Sequence, residues 1–396
     1  MNPHSMSKKR VLVIHPSGYI SISPTIISTI QYLTQKDEIV HVVAVFGEEV
    51  NGLIFQSHYF LQKKKYILLP LFFRVILSFF FYTLYPFLLL SIVLRYTFKS
   101  AFLIDAIGLF YSSFLPHSLI CTYVVLHIQY LSELVCQRDF IGVFIKYMER
   151  LRLKKIKYVV IQDQYRKQSF ITENKINTLA TTFFIVPNTY RNHTVKQKTH
   201  YYQQKLSLPF DTKIVLLAGA IEPWSYPVFV AQCATAQTTP PPYQLVLQSR
   251  EMINEGTSLI QELRHLEGQN VHLSLTPLAF ENLDEACSSA HVGCALYTNN
   301  RFQNQTFVGG ASGKMLTYLK NGLPVIMMDA KGVTEIIEQY QCGKVLKTMN
   351  IADFNACVKE ILDNYDYFSA NAYRCYQERY DFDSAFDAIQ ALLPTC

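Results

Sequence analysis

From residue 11 onward the sequence repeats one pattern: a short, wholly apolar run, a loop marked by Gly, Ser or Pro, then apolar residues at helical spacing. That alternation is what parallel βαβ units require. Strands covered on both faces read as unbroken apolar runs, and the crossover helices between them show a single apolar stripe. Residues 11–14 are the first such run, followed by the loop His15-Pro16-Ser17-Gly18-Tyr19. Ser23 then stands where a helix cap is wanted, with Pro24 at the first helical position. Runs at 39–46, 101–104, 119–126, 158–161 and 183–186 extend a first sheet, and between them residues 140–155 carry Ile141, Phe144, Ile145, Met148 and Leu151 at helical spacing. A polar, Lys- and Gln-rich stretch at 188–204 reads as a linker. The alternation restarts with strands at 213–217, 244–247, 292–297, 324–327 and 344–346, and three helical stretches ending at 386–393 close the chain. A chain of 396 residues suits two domains of roughly 100–200 residues each. The expected fold class is α/β: two Rossmann-like doubly wound domains facing a cleft, each with its ligand crevice at the carboxyl ends of its strands.

The charge is unevenly divided. Residues 1–200 carry 23 Lys and Arg against 10 Asp and Glu, a net +13, whereas residues 201–396 carry 13 against 20, a net −7. A basic half implies an anionic partner. With no RNP, zinc-finger or helix-turn-helix signature, phospholipid headgroups are expected and nucleic acid is not. Residues 75–94 are twenty in a row without a charge, preceded by Lys63, Lys64, Lys65 and Arg74 and followed by Arg95 and Lys99. Their length suffices for a membrane span. They lie between strands of one sheet, however, so a single crossing would strand the rest of the domain, and Pro70 and Pro86 are expected to divide them into shorter helices. Segment 66–98 is therefore expected to lie in an anionic membrane surface, with a helical hairpin buried in the domain or in a dimer as the plain alternative. Nine cysteines without C-x-x-C spacing read as free thiols in a reducing compartment, and the apolar run at 11–14 is too short for a signal peptide. A cytoplasmic protein is expected, peripheral on the inner face of the cell membrane.

The most informative stretch runs from Gly309-Gly310-Ala311-Ser312-Gly313-Lys314-Met315 to Thr317-Tyr318-Leu319 and on to Gly322-Leu323-Pro324. A glycine-rich loop opening a helix presents free amides and the positive end of the helix dipole, which suits a diphosphate, and Lys314 adds a full charge. It is not a P-loop: only three residues separate Gly309 from Gly313, and Met315 follows the lysine. The plain alternative is a helix start whose glycines serve tight packing.

Ser312-Gly313-Lys314, Tyr318-Leu319 and Gly322 to Ile326, followed by Gly332, Glu335 and Cys342-Gly343, resemble the donor-binding region of GT-B glycosyltransferases similar to glycosyltransferase family 4 and its relatives. The strand from Ala290 to Tyr297, Ile161-Gln162-Asp163 with Arg166, and Val186-Pro187-Asn188 fit the same template. The resemblance implies an acceptor-side domain at 1–200, a nucleotide-sugar domain at 205–375, and a C-terminal helix at 376–396 packing back on the first. It further implies a metal-independent, hexosyltransferase-type enzyme with no cofactor beyond the nucleotide-sugar co-substrate, and no metal site. Gly18, Gly219, Arg250, Gly310, Ser312, Gly313, Lys314 and Thr317 are the candidate binding residues, with Lys314 and Arg250 as the basic pair around the diphosphate. Many retaining members carry two glutamates eight residues apart in the donor loop; here those places hold Gly309 and Thr317. Thr317 can hydrogen-bond a hydroxyl but is no charged acceptor.

On the acceptor side, His127 ends the run 119–126, and Asp105 and Glu133 lie near equivalent strand ends, so these three are the candidates for general base or acceptor orientation. A lone His after a strand is as readily a structural residue. The expected function is transfer of a sugar to a lipid-linked or envelope glycan acceptor. The alternatives are a catalytically degenerate GT-B protein serving as a binding or assembly subunit, and a nucleotide-sugar epimerase of the same fold.

Overall fold

The structure, a computed structural model, describes residues 9–50, 52–116, 118–191, 197–237, 241–268, 270–279, 282–297 and 303–391. Lys8, the middle of the stretch read as a linker (192–196), the last residues of the closing helical run (392–393) and Cys396 lie outside the described residues. The chain divides into two compact units, Met1–Arg191 with Phe382–Cys396, and Asn192–Asp381. The first unit holds β1 (Arg10–Ile14), β2 (Ile39–Val43), β3 (Phe46–Gly47), β4 (Gln56–His58), β5 (Leu61–Gln62), β6 (Ser100–Ile104), β7 (Ile120–Val124), β8 (Tyr158–Ile161) and β9 (Thr182–Ile185). The second holds β10 (Ile214–Gly219), β11 (Gln244–Ser249), β12 (Val271–Ser274), β13 (Val292–Ala295), β14 (Val325–Met328) and β15 (Gly343–Leu346).

Both main sheets are parallel, ordered β4-β2-β1-β6-β7-β8-β9 and β12-β11-β10-β13-β14-β15. In each, the order reverses beside the unit's first strand, between β1 and β6 and between β10 and β13. Chains leaving neighbouring strands there pass to opposite faces and open a crevice at the carboxyl ends. The apolar runs explain the strands: Val11 to Ile14 and Ile214 to Leu217 are fully buried, as strands covered on both faces must be. The two faces of the second sheet carry separate clusters, one around Leu216, Met315 and Tyr318 and the other around Val215, Leu247 and Ile326.

Several local expectations are corrected. The run 39–46 does not stay in one strand: β2 ends at Val43, and Phe46–Gly47 pairs instead with Leu61–Gln62. Ser23 stands at the cap position of helix Pro24–Gln35, but its hydroxyl donates to Tyr19 O, and Asn188 Oδ1 accepts the amide of Thr25. The stretch 188–204 is not all linker, since Tyr201–Lys205 is helical and Tyr202 is buried in the second unit.

The largest correction concerns Pro86. It does not split the oily segment; Leu71–Arg95 is one helix of 25 residues with Pro86 inside it. Proline lacks the amide that would bond the carbonyl four residues back, here Tyr82 O. The hydroxyl of Tyr111 donates to that carbonyl at 2.7 Å, so the group the proline frees is not left unpaired. The helix packs on the unit through Tyr85, Leu89 and Ile92, and the Tyr85 hydroxyl donates to Val43 O at the end of β2. Phe81, Tyr82, Leu88 and Val93 are half-buried against the same core, and most of the other side chains are exposed, so the buried hairpin is not what the first unit forms.

Phe382–Gln390 closes the first unit. Phe386 packs against Tyr32 and Phe102, the Tyr32 hydroxyl donates to Asp387, and Arg191 pairs with Asp383.

Candidate functional site

In the second unit the crevice between β10 and β13 is roofed by helix Gly313–Lys320. Tyr318 fixes that helix: its hydroxyl accepts the Ala218 amide at 2.7 Å, and its ring lies where a Cβ on Gly293 would stand. Ser312 caps the helix by accepting the Met315 amide at 3.1 Å, and its hydroxyl also meets the Tyr297 hydroxyl at 2.7 Å. That contact ties the helix start to the residues just after β13.

Lys314 is the centre of the cluster. Its side chain crosses the end of β10, where Gly219 has φ +128° and a Cβ would come within 2.6 Å of Lys314 Cε. Lys314 Nζ donates to Ala220 O at 3.3 Å and stands 5.3 Å from the Trp224 ring and 5.8 Å from that of Tyr297. Those two rings are stacked, with centroids 5.8 Å apart. No carboxylate pairs with Lys314 among the described residues. Burial, with the positive charge of Arg250 added, brings its pKa down to about 7. Arg250 follows β11, its amide bonded to Gly219 O and its side chain 3.9 Å from an exposed Glu251. Two cations thus converge on a helix start with little to neutralise them, an arrangement that suits a diphosphate.

In the first unit the equivalent crevice lies between β1 and β6. Gly18 follows β1 with φ +66°, and a Cβ there would meet Phe46 O at 2.0 Å. Asp105, just after β6, also has a positive φ of 53°. Its Oδ1 accepts the amides of Leu126 at 2.7 Å and His127 at 2.9 Å, and its Oδ2 stands 3.4 Å from His127 Nδ1. Burial works to raise the Asp105 pKa, but these bonds from His127 and Leu126 outweigh it and hold the carboxyl below its ordinary value. His15 is buried beside this pair with Nε2 unpartnered, and burial lowers its pKa against the pull of Asp105. Among the described residues no group of three or more His, Cys, Asp or Glu is placed to hold a metal ion.

No protein-family model matches the chain, and no curated protein sequence does. Solved structures match over its whole length. HepE of Anabaena, in complex with UDP and glucose, is similar with a TM-score of 0.68 at 13% identity, over 98% of this chain and 99% of that one. WaaG, a glycosyltransferase involved in lipopolysaccharide biosynthesis, gives 0.67 at 12% identity over 98% and 100%. The chain has the GT-B fold. The same GT-B architecture also extends to a protein described as a UDP-N-acetylglucosamine 2-epimerase from Listeria monocytogenes, at TM-score 0.61 and 10% identity over 98% and 96%. At such identities the likeness fixes the GT-B fold, and the roles of residues rest on the geometry.

That geometry gathers Gly219, Arg250, Ser312, Gly313 and Lys314 at one end of the second GT-B sheet. Gly310 is buried in the loop before the helix, and Thr317 is buried a turn further along, its carbonyl accepting the Asn321 side chain. Gly309, where the resemblance expects a glutamate, has a Cβ position only 2.7 Å from Gly332 O. In the first unit Gly18, Asp105 and His127 gather at the ends of β1, β6 and β7, while Glu133 sits on helix Leu131–Cys136 with its charge near Tyr130. Sequence reasoning did not single out Trp224, Tyr297 and His15. Trp224 is the one Trp of the chain, His15 directly follows β1 and Tyr297 stands two residues after β13, which were the signals available.

Proposed function

We propose that this chain is a glycosyltransferase that takes a sugar from a nucleotide-sugar held in its second unit. The reading is carried by one observation: Lys314 and Arg250 converge on the capped start of helix Gly313–Lys320 with no carboxylate paired to the lysine among the described residues. In such a site the cations and helix amides would neutralise the leaving diphosphate without a metal. HepE, of like fold, binds UDP and glucose, which makes a uridine diphosphate sugar the first donor to try. Asp105 and His127 are the acceptor-side candidates, the carboxylate holding the imidazole that would take the acceptor's proton. A lipid-linked or envelope glycan acceptor at the cytoplasmic face of the membrane fits the exposed oily helix and the basic first half. Titration of the purified chain with UDP and a panel of UDP- and GDP-sugars, followed by turnover assays with and without membranes, tests the reading; no binding and no turnover with any of them would end it.

A second reading keeps the fold and drops the chemistry. It is favoured by Gly309, whose surroundings leave no room for an acidic side chain, and by Thr317 in place of the other charged acceptor. A Lys314→Ala chain that still supports function in cells would favour such a binding or assembly subunit. An epimerase needs no lipid, so dependence of activity on membranes would count against it.

A further inference from the structure

Helix Phe140–Leu153 is built inside out. A surface helix ordinarily buries its apolar stripe and shows its charges to water. Here the buried face is Gly142, Lys146, Glu149 and Leu153. Lys146 Nζ bonds Glu149 Oε2 and Asn174 Oδ1, each at 2.8 Å, and the Tyr123 hydroxyl donates to Glu149 Oε1. The outward face is Phe140, Ile141, Phe144, Tyr147 and Leu151, with Phe140 82% and Ile141 76% exposed. Burying an ion pair while leaving that stripe uncovered makes physical sense only if something apolar covers it.

We propose that the first unit docks on an anionic phospholipid surface through two helices, Leu71–Arg95 and Phe140–Leu153, without spanning the bilayer. This rests on the membrane-surface part of the proposed function and adds a second seating element to it. The two helices are joined by one bridge of contacts. Tyr111 bonds Tyr82 of the first helix, Phe110 packs against Phe144 of the second, and half-exposed Phe114 lies beside Tyr111.

The occupant follows from charge and topology. No acidic residue occurs between Glu49 and Asp105, while Lys65, Arg95 and Lys99 are exposed around the first helix. Around the second, Arg138, Lys154 and Lys155 are exposed, Asp139 is engaged in capping Gly142, and Glu149 is buried. A second copy of this chain would set cations against cations, whereas lipid phosphates complement them. A span is excluded because β4 and β6, on either side of the oily helix, belong to the same sheet, and Tyr85, Leu89 and Ile92 commit its far half to the core.

The test uses the full chain in co-sedimentation with vesicles of phosphatidylcholine alone and with one containing added phosphatidylglycerol. The expected result is binding to the anionic vesicles that weakens with salt, and about a tenfold or greater loss of partition for both Ile141→Glu/Phe144→Glu and Val75→Glu/Phe79→Glu. These side chains are outside the core, and Phe140→Ser/Tyr147→Ser on the same stripe gives a milder version should the glutamates disturb folding. Full binding by both helix 140–153 variants while the helix 71–95 variant fails would overturn the two-helix surface and leave a one-helix membrane reading. A wild type that ignores all vesicles but forms a dimer dissolved by Ile141→Glu/Phe144→Glu would replace lipid with a second copy. Resistance of the membrane-bound chain to alkaline carbonate would overturn the non-spanning claim. Nucleotide-sugar titration without vesicles reports separately on the second unit.

Discussion

The side chain of Lys314 lies across Gly219 so closely that a Cβ at residue 219 would stand 2.6 Å from Lys314 Cε. Gly219→Ala must therefore push the lysine off the strand end, and it also places a Cβ at φ +128°, a backbone region that only glycine adopts at ease. The substitution should cost about 1–3 kcal/mol of stability and weaken UDP binding by roughly an order of magnitude. Thermal unfolding and calorimetric titration on the same preparation check both; unchanged affinity would mean that the lysine is not held at the ligand.

Lys314 should make nucleotide-sugar affinity depend on pH. UDP-glucose is the useful probe, because its doubly esterified diphosphate keeps a constant charge. With the lysine pKa near 7 in the empty site, affinity should be highest below about pH 7 and decline as the ammonium deprotonates above it. Lys314→Met should flatten that profile and lower affinity at pH 6 by about ten- to a hundredfold, the range for losing a charged hydrogen bond. The same depressed pKa has a stability consequence of opposite sense: the empty protein gains from this group as pH rises from about 7 towards the ordinary value of 10.5, and loses it on the way down. Denaturant unfolding of wild type and Lys314→Met across that window measures the difference.

Asp105 separates structure from chemistry. Asp105→Ala leaves the amides of Leu126 and His127 without their acceptor and should cost about 1–3 kcal/mol. Asp105→Asn keeps an oxygen for both amides and tolerates the positive φ. It should fold nearly as well, yet lower turnover through loss of the charge facing His127, with UDP-glucose affinity unchanged. Because the native carboxyl is held below the ordinary Asp range, its contribution to stability is full above that range and fades as pH falls through it. An Asn variant with wild-type turnover would remove Asp105 from the reaction.

Lys146 and Glu149 should behave as a unit. Burial raises the carboxyl's pKa and lowers the ammonium's, each opposed by the other's charge. Glu149→Ala alone leaves the buried ammonium with Asn174 and only the more distant Glu173 carboxylate at 4.0 Å and should cost about 3–5 kcal/mol, whereas Lys146→Met/Glu149→Leu together should cost far less. Urea unfolding of the two single variants and the double variant measures the coupling.

The strands most plainly legible in the sequence are those covered on both faces, where burial leaves an apolar run, such as β1, β6, β8, β10, β13 and β14. Of the edge strands, β9 and β15 keep enough of a run to be read, whereas β4 and β12 do not. Gln56-Ser57-His58 and Val271-His272-Leu273-Ser274 have water on one side, and their residues carry no run to read. The helix start at Gly313 was legible because its glycines and lysine are adjacent in sequence. Trp224 and Tyr297 were not, because their stacking is made by loops 73 residues apart. The stripe at Ile141, Phe144 and Leu151 could be located by its period, but period alone cannot say which way it faces. Only the position of Lys146 and Glu149 decides that. Likewise a proline in a helical run reads as a break until a distant hydroxyl, here that of Tyr111, is known to serve the carbonyl it leaves over.

The first unit is made of two separate stretches, with the second spliced between them. On the ribosome the second unit emerges complete while the first still lacks Phe382–Gln390, and with it the Phe386 ring that seals Tyr32 and Phe102. A message truncated after codon 381 would thus release a finished second unit tethered to an unfinished, sticky first one. Helix Phe382–Gln390 thus decides whether the first unit matures, though it supplies none of the residues gathered at either crevice.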